Sequence, residues 1–555
     1  MTTGEADETA GAVHLPWWRD AVTYQVYIRS FADADGDGIG DVGGIRSRLP
    51  YLRDLGVDAL WINPWYPSPM VDAGYDISDY RDIAPEFGTL AGAEALVEEA
   101  HAHGLRVVID LVPNHTSDRH PWFQAALASP AGSPERARYW FRRGRGDHEG
   151  LPPTNWKSTF GGPAWTRVTG PDHGPDEWYL HLFTPEQPDL NWSNPEVREE
   201  FLSVIRFWFD RGVDGIRIDV APALDKDPAL PDLPCPSQWW KAPEAAEHPF
   251  RDRDGVLEIY RSWRALADEY AGDRAFVAEA WVSDPERVAR YVRPGHLHTA
   301  FNFPFLTCQW DPARLREVVD RSLAAFGAVG APATWVLSNH DVVRHVSRYG
   351  RTQAPMTGPR FALDSPFDLE LGTRRARAAA LLMLALPGGA YVYQGEELGL
   401  WEAEDLPEEA LQDPRWAWSD HTDRGRDGCR VPLPWSGEAP PFGFGPDGSD
   451  PWLPQPAAWK DYTAETQDGD PASMLELYRA ALALRRAHPA LGDGGLRWLD
   501  SPEEVLAFAR DPSFRCVVNL SADPSSLPPH GEVLLASARL EDGRLPTDAA
   551  IWLRA

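Results

Sequence analysis

The chain of 555 residues exceeds one simple domain of roughly 100–200 residues, and its hydrophobic fraction of 43% excludes global disorder. A formal net charge of −31 works against bare nucleic acid, anionic membrane surfaces and polyanionic substrates, and leaves a neutral small molecule as the favoured ligand. In chain order, residues 1–15 are acidic and polar, lack an apolar stretch of signal type, and read as a disordered tail. A recurrent unit follows: an amphipathic helix, a glycine, then a short apolar strand. Strands are predicted at 22–28, 57–62, 105–111, 213–219, 275–280, 298–303, 333–338 and 390–394. Helices are predicted near 92–103, 194–211, 257–271, 373–386 and 472–487. In the second of these Asn194 can cap, Pro195 takes the first helical position, and Gly212 ends the helix.

Eight strands alternating with helices imply a parallel α/β architecture, and polar residues at so many strand C-termini favour a closed (β/α)₈ TIM barrel over an open sheet. Residues 115–190 interrupt the alternation with Pro, Gly, Trp and charge and read as an inserted subdomain, leaving 16–114 and 191–487 to the barrel. Residues 400–470 read as an irregular excursion after the eighth strand. Short β-type runs at Val505–Ala509, Cys516–Leu520 and Glu532–Leu535 place a C-terminal antiparallel β domain at 488–555. Cys235, Cys308, Cys429 and Cys516 lie far apart and imply reduced thiols in a cytoplasmic protein, and no apolar run reaches the roughly 18 residues of a membrane span. The 25 tryptophans supply core volume and flat faces suited to sugar rings.

Asp33, Asp35, Asp37 and Asp41, interleaved with glycines and joined by the Ile39 carbonyl, form a loop suited to Ca²⁺, although the twelfth position is Gly44 rather than the Glu of an EF-hand. The overlapping match to GxGxxG at 38–43 is rejected as a dinucleotide site, because four aspartates would repel a pyrophosphate there. A second constellation is spread over strand ends: Asp110 with Asn114 and His115, Arg217 with Asp219, Glu279, and His340 with Asp341. Cleaving an acetal needs one carboxylic acid to protonate the leaving oxygen and one carboxylate to attack or shield the anomeric carbon, and neighbouring barrel strands can present such a pair.

Around these residues the chain resembles the α-amylase family, glycoside hydrolase family 13. The matching segments, in family order, are DLVPNHTSD (110–118), QPDLNW (187–192), GIRIDV (215–220), FVAEAW (276–281) and SNHD (338–341). QPDLNW, YQGEELGL (393–400) and GRDGCRVPLPW (425–435) look most like the oligo-1,6-glucosidase and α-glucosidase branch. SNHDVVRHVSRYG, CVVNLS and EVLLAS resemble actinobacterial α-glucosidases. The resemblance implies Asp219 as nucleophile, Glu279 as acid/base and Asp341 as transition-state stabiliser. It further implies Asp76, His115 and His340 as groups gripping the sugar, Phe183, Gln187 and Arg426 beside them, and Asp110 and Asn114 as scaffold. Arg217 shares a strand face with Asp219 and is expected to keep it ionised, whereas the surroundings of Glu279 are expected to favour its protonated form.

The implied activity is that of an exo-acting retaining α-glucosidase on short α-glucosides. Val220 bears on the choice between α-1,4 and α-1,6 linkages, with maltose-type substrates favoured. Pro222-Ala223-Leu224 and Gly428-Cys429 depart from the branch pattern and are expected to border the acceptor sites. An α-glucosyl transferase or a sucrose or maltose isomerase could use the same site, although FNFPFLTCQWD (301–311) holds no RLDRD-like isomerase loop. A non-catalytic transporter-accessory protein is the remote alternative, disfavoured by the presence of all three carboxylates.

Overall fold

All eight predicted barrel strands form in the computed structural model, which describes residues 15–146, 149–168, 177–236, 247–352 and 365–555. The acidic tail expected at 1–15 falls, except for Leu15, outside the described residues. The strands are β1 Val22–Val26, β2 Ala59–Ile62, β3 Arg106–Leu111, β4 Gly215–Ile218, β5 Ala275–Ala278, β6 Thr299–Ala300, β7 Thr334–Val336 and β8 Gly389–Tyr393. They pair in parallel in the order β7-β8-β1-β2-β3-β4-β5-β6. The seam between β6 and β7 is bridged by the Asn302 amide, which donates to the Thr334 carbonyl at 3.0 Å.

Strand alternation divides the side chains between two environments. Ile216 and Ile218 of β4 face outward and join the core shared with the surrounding helices, while Trp61, Val108, Val277, Phe301, Val336 and Tyr391 fill the barrel interior. Arg217 takes the inward face of β4 between Ile216 and Ile218. The helix Pro195–Asp210 forms as expected: the Asn194 side chain accepts from Glu196 N–H at 2.9 Å, and Gly212 at φ 92° turns the chain into β4.

The inserted stretch carries a helix Pro121–Ala128 and a three-stranded antiparallel sheet, Phe141–Arg143, Glu177–Leu180 and Trp165–Arg167 in that spatial order. Its Trp140, Trp156 and Trp165 pack with Ala223 and Phe250 from the loops beyond β4, which seats it over the C-terminal rim of the barrel. The terminal sheet has five antiparallel strands, β9 Arg497–Trp498, β10 Val505–Arg510, β11 Phe514–Asn519, β12 Glu532–Ala536 and β13 Ala549–Arg554, in the order β9-β10-β11-β13-β12. β13 was not expected from the sequence. It anchors the sheet, since Trp552 donates to the Leu381 carbonyl of the barrel helix Leu369–Ala385 at 3.0 Å. Among the described residues no helix is long and apolar enough to cross a membrane.

Candidate active site

The C-terminal ends of β3, β4, β5 and β7 bring Asp110, Arg217, Asp219, Glu279 and Asp341 to one rim. Arg217, 2% exposed, is the hub: Nη1 donates to Asp219 Oδ1 at 2.7 Å and Asp110 Oδ1 at 2.8 Å, and Nη2 lies 2.9 Å from Glu279 Oε2. Its guanidinium lies over the rings of Trp61 and Tyr75, at 5.2 and 5.7 Å. Register does this, because residues 217 and 219 share the inward face of β4 while β5 delivers Glu279 alongside.

Glu279 receives further donors. Val220 N–H reaches Oε2 and the Trp281 indole N–H reaches Oε1, each at 2.9 Å. Val220 achieves this from a left-handed backbone (φ 47°, ψ 39°), an uncommon conformation for a β-branched residue and one that turns its amide toward the carboxylate. Asp219 is buried among these groups. Burial pushes its carboxyl well above the usual range, the charges of Glu279 and Asp110 add to this, and Arg217 opposes it. Asp110 is raised to about 6, by burial against the pull of Arg217. One guanidinium serves three carboxylates, which favours retention of a proton within the cluster.

Asp341 sits in the opposite setting. Arg426 Nη1 and Arg430 Nη2 both reach Oδ1 at 3.0 Å, and His340 Nε2 lies 3.3 Å from Oδ2. Burial would raise its carboxyl, but the neighbouring cationic groups outweigh that and hold it well below the usual carboxylate range. His340 is fully buried, which keeps its imidazole well below its usual range and neutral. It receives a hydrogen bond from Gln25 on Nδ1 at 2.7 Å, contacts the Tyr75 hydroxyl through Nε2 at 2.7 Å, and stacks on the Tyr75 ring at 5.4 Å.

A cavity of about 1860 Å³ opens above this cluster. Of the residues expected to bind substrate, His115, Phe183, Val220 and Arg426 line it together with Asp219, Glu279 and Asp341. Arg217, Gln187 and His340 stand behind the wall and hold it in place; Gln187, for example, donates to Asp72 Oδ2 at 3.2 Å. Asp76 is misassigned by the sequence reading. Its carboxylate is consumed by a turn, accepting from Ser68 Oγ and from the amides of Val71 and Asp72 at 2.8–3.1 Å, and it does not reach the cavity. The wall carboxylate is Asp72, four residues earlier, whose Oδ1 meets Arg426 Nη2 at 2.7 Å. Both aspartates lie in the segment VDAGYD, and the turn geometry that separates their roles leaves no mark in the spacing. Gly428-Cys429 is a second correction. Cys429 is buried behind the wall with its thiol on the carbonyls of Arg426 and His340, and a side chain at 428 would collide with Glu402, so the pair does not border the acceptor space. Pro222 and Ala223 do line it, whereas Leu224 is buried.

Sequence reasoning also missed Arg430, Tyr75 and Lys226. Lys226 Nζ reaches Asn114 Oδ1 at 3.0 Å and Asp189 Oδ2 at 2.9 Å, tying the loop after β4 to the inserted subdomain. Asp110 accepts from Arg217 and from the Tyr75 hydroxyl, and Asn114 links Lys226 to Asp189.

In the aspartate loop, carboxylate oxygens of Asp33, Asp35 and Asp37 lie within 4.8 Å of one another, a donor set that fits a hard cation. Asp41 lies outside that trio; its two oxygens accept from Ala34 and Gly44 N–H, and it caps the helix Val42–Ser47. The glycines of the rejected GxGxxG match serve close packing, since a Cβ at Gly38 would lie 2.2 Å from the Asp450 carbonyl.

Residues 25–494 match the family model described as alpha amylase, catalytic domain. The chain is 40% identical over 551 residues to a probable α-glucosidase of Rhizobium meliloti (strain 1021), covering 95% of this chain and 93% of that one. It is 35% identical over 505 residues to an oligo-1,6-glucosidase of Parageobacillus thermoglucosidasius, covering 85% and 84%. Among solved structures it resembles the α-glucosyl transfer enzyme XgtA (TM-score 0.83, 38% identity, 97% and 99% covered) and the trehalulose synthase MutB of Pseudomonas mesoacidophila MX-45 (TM-score 0.84, 31% identity, 98% and 100% covered). With eight parallel strands, a shared carboxylate–guanidinium cluster at their C-terminal rim and a family match across most of its length, the chain belongs to the α-amylase family, glycoside hydrolase family 13.

Proposed function

We propose that the protein is an exo-acting, retaining α-glucosidase that releases glucose from the non-reducing ends of short α-glucosides. The observation that carries this reading is the gripping of Asp219 and Glu279 by two nitrogens of one guanidinium. An inverting pair stands about 6.5–9.5 Å apart to hold a water between its members, whereas a retaining pair stands about 5–5.5 Å apart. Two carboxylates on one guanidinium favour the closer arrangement. Asp219 then attacks the anomeric carbon as Glu279 passes its proton to the leaving oxygen; Glu279 next takes a proton from water, which displaces Asp219 from the sugar. Asp341, held ionised by Arg426 and Arg430, faces the positive charge that develops in between.

Exo-action is supported by the buried Asp72–Arg426 ion pair, which walls one end of the cavity with the Phe160 ring 5.6 Å from the guanidinium. Maltose-type α-1,4 substrates are favoured and α-1,6 linkages remain within the proposal. The relatives include maltases as well as oligo-1,6-glucosidases, and one β-branched side chain at 220 shifts discrimination by only about 1–3 kcal/mol. Glucosyl transfer or isomerisation is the second reading, favoured by the apolar cavity wall of Trp281, Phe303 and Val342, which would seat an acceptor in preference to water. The aspartate loop is proposed to hold Ca²⁺ through Asp33, Asp35 and Asp37, with the Ile39 carbonyl beside them. The test is glucose release from maltose, isomaltose, sucrose and trehalose, with products analysed at high sugar concentration. No glucose from any of the four would overturn the glucosidase reading, and dominant transfer products would favour the second.

A further inference from the structure

Trp281 meets the catalytic centre with its edge and the cavity with its face. The indole N–H donates to Glu279 Oε1 at 2.9 Å. The ring lies parallel to Phe303, with centroids 3.9 Å apart and planes 5° apart, and both residues line the cavity. The two oxygens of Glu279 are therefore held differently. Oε2 is drawn inward by Arg217 and the Val220 amide, and Oε1 is left with the indole.

From this arrangement we infer that Trp281 is a positioning residue for the acid/base, its ring aimed by Phe303 so that the indole N–H holds the oxygen that exchanges a proton with the leaving group. The inference rests on the α-glucosidase reading. When Glu279 delivers its proton, negative charge develops on the carboxyl, and a donor already aligned with Oε1 stabilises that charge more than it stabilises the neutral acid. A protonated Oε1 keeps a lone pair for the indole, so the contact spans the whole transfer. The stack matters because a parallel neighbour at 3.9 Å leaves the indole little freedom to tilt its N–H away. The other charged groups around Glu279 are Arg217 on β4, Asp219 just beyond it, Asp110 on β3 and Arg251 from the loop before the helix Val256–Ala267. A substitution at 281 keeps the main-chain carbonyl to which Arg251 donates.

The test is Trp281→Phe, which keeps a face against Phe303 and removes the donor. It is assayed on maltose, whose leaving oxygen needs a proton, and on 4-nitrophenyl α-D-glucopyranoside, whose leaving group needs little. Turnover of maltose is expected to fall about tenfold or more, with at most a threefold loss on the aryl glucoside. The basic limb of the kcat/KM profile for maltose is expected to move up by about one pH unit, because a carboxylic acid deprived of a donor gives up its proton less readily. Phe303→Leu, which leaves the indole in place but unclamped, should show the same pattern in weaker form, and Trp281→His, which retains a ring N–H, should recover part of the loss on maltose. Equal losses on both substrates with an unmoved basic limb, in folded protein judged by its melting curve, would reduce Trp281 to a packing residue and overturn the inference. Wild-type protein inactive on both substrates would overturn the glucosidase reading itself.

Discussion

Lys226 Nζ lies 2.9 Å from Asp189 Oδ2, and neither side chain is exposed to solvent. This pair joins the loop that follows the nucleophile to the inserted subdomain, and through Asn114 it reaches the strand end that carries His115. Replacing Lys226 with Met strands a buried carboxylate, a change worth about 3–5 kcal/mol. The expected result is a lower melting temperature together with a raised KM, because the wall of the cavity loosens with the subdomain. A melting curve and KM both equal to wild type would show that the pair does not hold the two parts together.

Asp72 and Asp76 separate by readout. Asp72→Asn removes a cavity-wall carboxylate and half of the ion pair with Arg426, so KM for maltose is expected to rise about tenfold or more. Asp76→Ala strips the turn of an acceptor for Ser68 Oγ and two amides, so its main effect is expected on melting temperature. Measuring both quantities for both variants decides between them, and a larger KM effect at 76 than at 72 would restore the assignment made from sequence.

Asp219→Asn should reduce turnover to background. Glu279→Gln should cost about 10²–10⁴-fold on maltose. Neither should destabilise the protein, since each relieves repulsion in a cluster of three carboxylates sharing one guanidinium. Retained turnover in Asp219→Asn would refute its role as nucleophile.

Buried carboxyls give the stability a defined slope with pH. Burial raises Glu396 to about 8 and Asp76 to about 7, each against hydrogen bonds that pull the other way. A raised value means that the folded state binds more protons than the unfolded state. The stabilisation is therefore complete below the ordinary carboxylate range and is lost as pH climbs through 7 and 8. Melting temperature is expected to decline from pH 5 to pH 9, and Glu396→Gln, which mimics the protonated side chain, should flatten that decline. An equally steep decline in the variant would exclude Glu396 as a source.

Chelation is expected to lower the melting temperature while leaving the rate at 25 °C nearly unchanged, because Asp33, Asp35 and Asp37 stand apart from the carboxylates that do the chemistry. Their loop is packed against the segment around Asp450, with Trp452 N–H donating to the Gly38 carbonyl at 3.0 Å, so the cation would lock two distant stretches together. Identical melting curves with and without chelator would remove the metal from the proposal.

The sequence by itself determined the eight-strand alternation, the caps at Asn194 and Gly212, and the placing of Asp219, Glu279 and Asp341 at strand ends, since each follows from short-range periodicity and the strand period of two. It could not show β13, which reads as a strand only once it has β11 and β12 on either side. It mistook Asp76 for Asp72 because a local turn, not spacing, decides which carboxylate is spent on backbone amides. Nor could it show the charge balance at the centre. At the end of β4 Arg217 serves Asp219, but the closed barrel adds Asp110 and Glu279 to the same guanidinium and leaves one positive charge for three acids. Ionisation depends on distances between chain segments far apart in sequence and on the exclusion of water, and only the tertiary structure sets either.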